Sequence, residues 1–198
     1  MRTTLLFFVF FVFSLNANSQ SFSLLKDFNT VPSTKGSDPL PVATIGNTVY
    51  FTATTLTNGR ELWKSDGTAS GTVLVKDFYA GRFSSNPKLF FELNNQIYLV
   101  ANDGKHGDEV WKSDGTTAGT VLLKDINPGL ATGNPAFFTN LNGTIFFTAF
   151  TNATGNELWK TDGTEAGTVM VKDINPGTGN SIPQEFVNLN GALYFRAD

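Results

Sequence analysis

Trp63, Trp111 and Trp159 recur at intervals of 48 residues, and that regularity restricts the chain to architectures built from copies of one unit. Around them stand ELWKSDGTASGTVLVKDF, EVWKSDGTTAGTVLLKDI and ELWKTDGTEAGTVMVKDI. Residues 111–129 match residues 159–177 at fifteen of nineteen positions. A second marker keeps the same period: GNTVYF from Gly46, NNQIYL from Asn94, NGTIFF from Asn142 and NGALYF from Asn190.

Turn residues and β-branched or aromatic runs divide each unit into four short strands, a to d. In the third copy strand a covers 136–141, and Asn142-Gly143 is a two-residue hairpin signal because both positions need positive φ. Strand b runs over 144–150, the loop TNATGN leads to strand c at 157–161, and DGTEAG turns the chain into strand d at 168–174. NPGTGNSIP then carries it onward, with Pro denying a ladder donor and Gly permitting a sharp turn.

Strands b and d carry consecutive apolar residues, such as Ile145, Phe146 and Phe147, so both sheet faces need cover. A four-stranded antiparallel sheet covered on both faces by its neighbours is a blade of a β-propeller, the expected all-β fold. The alternative is a stacked β-solenoid, whose coils are usually much shorter than this unit. The expected organisation is an orphan strand d at 20–29, blades at 39–78, 87–126 and 135–174, and a half blade at 183–198. Counted this way the ring is incomplete, and the chain reads as a truncated fragment of a longer protein.

ELWKSDGT, EVWKSDGT and ELWKTDGT resemble the ELWxxDGT repeat family of exported bacterial proteins, and the resemblance runs the length of the chain after residue 19. Val110 in place of Leu is a conservative departure. The resemblance implies a propeller-like extracellular protein and no particular chemistry. The amino terminus agrees with export. Arg2, an apolar run over 5–13 and a short polar stretch with small residues form the layout of a signal peptide ending at residue 19. That run is too short for the ~20 residues of a spanning helix. No other span follows it, so the expected location is secreted or cell-surface, with no membrane span after cleavage.

Cysteine is absent, so packing rather than disulfides must supply stability, and 19 Phe, 4 Tyr and 3 Trp provide apolar area for it. Net charge is −3 without a basic block, which argues against nucleic acid as a partner. Trp63, Trp111 and Trp159 read as core residues between blades. Asp66, Asp114 and Asp162 read as turn residues accepting from backbone N–H groups, with Gly71, Gly119 and Gly167 closing the same turns. A calcium loop needs several oxygens close together, and these aspartates stand one repeat apart, so no metal is assigned to them.

Asn102 to Glu109, NDGKHGDE, is the one loop with clustered acidic groups and holds the sole histidine. The equivalent loops supply no comparable ligand set, so neither a metal nor a cofactor is expected. With one His, no Cys and no GxSxG elbow, nucleophilic catalysis has no visible apparatus, and the expectation is a non-catalytic protein. The b–c and d–a connections share one end of the sheets and differ most between copies. Varied loops on a rigid frame are where binding resides. Arg60, Tyr79, Arg82, Phe83, Lys105, His106 and Asp108 are therefore the expected contact surface, for an extracellular glycan or protein. The alternatives are a propeller glycoside hydrolase or sialidase-like enzyme, and a purely architectural surface spacer.

Overall fold

The computed structural model describes residues 25–28 and 36–198. The expected signal peptide lies outside the described residues, as does most of the segment 20–29. The described residues are all-β, with no helix long and apolar enough to cross a membrane.

Three four-stranded antiparallel sheets follow one another, each a simple meander. The first is β1 (Leu40–Ile45), β2 (Thr48–Thr55), β3 (Gly59–Ser65) and β4 (Val73–Lys76). The second is β5 (Lys88–Leu93), β6 (Gln96–Asn102), β7 (Asp108–Ser113) and β8 (Val121–Lys124). The third is β9 (Ala136–Leu141), β10 (Thr144–Thr151), β11 (Gly155–Thr161) and β12 (Val169–Lys172), and the hairpin of β13 (Gln184–Leu189) and β14 (Ala192–Arg196) follows. Asn142 and Gly143 take φ of 53° and 87°, as the hairpin between β9 and β10 requires. Strand d is shorter than the sequence suggested: β12 stops at Lys172, because the backbone N–H of Ile174 turns away from the ladder to a side chain.

The sheets pack face to face in one direction. Tyr50, Leu62, Val75 and Phe78 of the first meet Ile97, Leu99, Ala101 and Trp111 of the second. Tyr98, Val110, Leu123 and Ile126 then meet Ile145, Phe147, Ala149 and Trp159 of the third. Leu62 and Trp63 are adjacent and both buried, yet they belong to different clusters on opposite faces of one sheet. Phe78 stands edge-on to Trp111, centroids 5.0 Å apart, a favoured aromatic geometry. The described part of the amino-terminal segment repeats this contact on the first sheet. Phe28 stands edge-on to Trp63 at 4.8 Å, and Lys26 Nζ donates to Thr72 O just as Lys76 Nζ donates to Thr120 O.

Backbone approach between sheets is concentrated on their first strands, with β1 against β5, β5 against β9 and β9 against β13. Polar links tie the far ends of the sheets together. Lys64 Nζ donates to Gly115 O (2.8 Å) and Lys112 Nζ to Gly163 O (2.7 Å), each reaching the next sheet's DGT turn. The Tyr50 and Tyr98 hydroxyls lie against Gly115 and Gly163, where any Cβ would collide with them. Burial first, then the nearby Asp114 or Asp162 carboxylate, holds both phenols above their ordinary pKa, so they remain neutral.

Candidate functional site

The ends of each sheet are built from different materials. At the c–d end, one hydrogen-bond pattern appears three times. Asp66 Oδ1 accepts from Thr68 N (2.9 Å) and Thr68 Oγ1 (2.7 Å), and Thr68 Oγ1 in turn accepts from Gly71 N (2.9 Å). Asp114 with Thr116 and Gly119, and Asp162 with Thr164 and Gly167, repeat it. A Cβ at Gly71, Gly119 or Gly167 would run into the aspartate carboxylate, so the turn closes only with glycine there. The threonine hydrogen bonds hold all three aspartates below their ordinary pKa.

At the opposite end the anchor is the glutamate that opens each ELW or EVW triplet. Glu61, Glu109 and Glu157 are fully buried. Glu61 accepts from Phe78 N (3.1 Å), Ser85 N (2.9 Å) and Ser85 Oγ (2.6 Å). Glu157 accepts from Ile174 N, Ser181 N and Ser181 Oγ (2.8, 3.1 and 2.6 Å). Glu109 accepts from Ile126 N and Asn127 N, but Gly133 stands where the other junctions have serine and offers no hydroxyl. Burial, with a smaller push from Asp77 or Asp125, outweighs these bonds. Glu61 is raised to about 7 and Glu109 to about 8.

The same serine joins two sheets. Ser85 gives its N–H to Glu61 and its carbonyl to Asn102 N (3.1 Å); Ser181 does likewise with Glu157 and Asp198 N (2.8 Å). A d–a connection that differs in sequence from copy to copy is thus pinned at fixed points. Glutamate recurring inside an apolar strand, always two residues before the tryptophan, is the sequence signal of this buried anchor.

On this frame the expected contact residues divide. Tyr79 and Phe83 stack on each other with centroids 4.7 Å apart and an interplanar angle of 24°. The Tyr79 ring also lies against Gly104, where a Cβ would fall 2.5 Å from the ring. Lys105 is next in that loop; it and Arg82 are exposed, with no ion-pair partner among the described residues. Phe83 is 60% exposed. These residues form one surface between the first and second sheets.

The rest are committed to the framework. Arg60 turns its guanidinium to Asp38 O (3.0 Å) and Thr52 Oγ1 (2.6 Å), and its N–H goes to Ser84 Oγ. His106 Nδ1 lies 2.8 Å from Asp103 Oδ2. Burial pushes the Asp103 carboxyl up, but the Lys105 N–H, the imidazole and the His106 N–H more than offset it and hold its pKa down. Asp108 is taken by Lys88 at 2.6 Å. Among the described residues no three His, Cys, Asp or Glu side chains are placed to hold a metal ion.

No protein-family profile matches the chain, and no curated protein matches it in sequence.

Proposed function

We propose that this chain is an exported, non-catalytic binding module whose sheets are blades of a β-propeller and whose b–c and d–a loops engage a glycan or a protein. The observation that carries the reading is the pinning of varied loops to buried Glu61, Glu109 and Glu157, which gives a variable surface a rigid base. The convergence of β1, β5, β9 and β13 supports the propeller over a solenoid, in which all four strands of each unit would stack on their counterparts. The glutamates support a structural reading of the carboxylates, since fully buried side chains do not meet a substrate. The resemblance of the tryptophan segments to exported ELWxxDGT repeats supports the location.

The test is a glycan and protein binding screen on the full chain, with reducing-end release followed on every glycan that binds. Binding without release, weakened by Phe83→Ala or Arg82→Ala, is the expected result. Product release, or binding indifferent to every loop substitution, would contradict it.

A further inference from the structure

The junction between the first and second sheets departs from the others at two places that meet in space. Tyr79 and Phe83 stand where the later junctions carry Asn127 with Ala131, and Asn175 with Gly179. Gly104 stands where the third sheet has Asn152. In the later junction Asn127 Oδ1 accepts from Asn152 N (3.1 Å), a polar link between the two loops. In the earlier one the Tyr79 ring rests on Gly104 and replaces that link with an aromatic contact. The glycine, with φ of 79°, leaves room for the ring. Tyr79 therefore holds contacts to both Gly104 and Phe83, and Phe83 remains 60% exposed.

Around the Phe83 ring the nearby carboxylates are turned to other partners: Asp103 to the His106 imidazole, Asp108 to Lys88, and Asp77 to Asn58 and the Gly81 N–H. Arg82 beside Phe83 and Lys105 beside Gly104 are exposed without acidic partners among the described residues, in a chain of net charge −3. An aromatic ring face is electron-rich and attracts the polarised axial C–H bonds of a pyranose. A guanidinium matches a carboxylate with two parallel hydrogen bonds.

We propose that the Phe83–Tyr79 stack with Arg82 and Lys105 is a single subsite for an acidic sugar, a uronate residue of an extracellular polysaccharide, resting on the loop-binding reading above. Phe83 takes the ring face, and Arg82 and Lys105 take the carboxylate. Two cations beside one aromatic suit one charged sugar better than a nucleic-acid strand, which needs a continuous basic track with several stacking platforms.

Affinity electrophoresis of the full chain through polygalacturonate, dextran, polyglutamate and single-stranded DNA tests it. Retardation by polygalacturonate alone is expected. Phe83→Ala, and separately Arg82→Ala with Lys105→Ala, should each weaken it about tenfold, with unchanged melting temperature because all three side chains are exposed. No retardation by polygalacturonate, equal retardation by polyglutamate or DNA, or full retention by Phe83→Ala would each overturn the subsite. Should another glycan or a protein bind and be weakened by these substitutions, the uronate assignment falls while the loop-binding reading stands. Should a ligand bind with every loop variant unaffected, that reading itself falls.

Discussion

At the end of the sheets carrying the β3–β4, β7–β8 and β11–β12 turns, three copies use the same atoms at nearly the same distances; at the other end, three copies share a buried glutamate and an aspartate that accepts from a glycine N–H, while other loop side chains differ. The first end spends its polar groups on itself. Asp66, Thr68 and Gly71 close a turn, and the next turn along accepts the lysine that ties it to its neighbour. The second end fixes a few backbone amides and leaves the side chains between them free to differ, as Phe83, Ala131 and Gly179 do. A repeat protein can thus hold one surface constant for assembly and vary the other for recognition without altering its core.

The sharpest way to break this contrast is to remove an anchor at the varied end. Glu157→Ala strands one buried and one partly buried amide and a buried hydroxyl, and should lower stability by about 3 kcal/mol in denaturant unfolding. Glu157→Gln keeps a carbonyl acceptor and should cost clearly less. A loss no larger than that of an exposed loop substitution would mean that the glutamate anchors nothing. At the constant end Gly119→Ala should cost about 2 kcal/mol, because its Cβ displaces the Asp114 carboxylate from Thr116.

The two ends also respond oppositely to pH. Glu61 and Glu109 are raised in the folded state, so their contribution is full below their ordinary value of 4.5 and is lost as pH rises through about 7 and 8. Asp66, Asp114 and Asp162 are lowered, so theirs is present above 3.8 and lost as pH falls below it. The melting temperature should therefore fall by about 5 °C between pH 5 and pH 9. A rise over that interval would contradict the assignment of burial as the dominant influence on the glutamates.

The smallest effect sharpens the comparison among junctions. Asp38, Asn86 and Asn134 take φ of 39°, 47° and 44°, which short polar residues tolerate, but the equivalent residue after the third sheet is Ile182, at 45°. Ile182→Asn should raise stability by about 1 kcal/mol in the same unfolding assay, by relieving a β-branched side chain at positive φ.

How far the sequence disclosed this arrangement follows from which forces are local. The period of the tryptophans, the Asn142-Gly143 hairpin and the Asp-Gly-Thr turns are short-range signals, and strand order and turn positions follow from them. Phe83, Tyr79, Arg82 and Lys105 were legible as varied loop residues. Their convergence was not, because it depends on the fit of Tyr79 against Gly104 across two loops 25 residues apart. Arg60, His106 and Asp108 looked equally available, yet each is held by partners that no spacing rule connects to it. Glu61, Glu109 and Glu157 were overlooked because charge is ordinarily a mark of the surface, and only the two or three donors arriving from another segment make its burial tolerable.

Amide hydrogen exchange on the intact chain tests the pinned-loop claim most directly. The amides of Ser85, Asn127 and Ser181 lie in irregular connections but point at buried carboxylates. They should exchange as slowly as the ladder amides of β3, β7 and β11, while that of Arg82 exchanges quickly. Ser85, Asn127 and Ser181 exchanging at the rate of Arg82 would contradict the account.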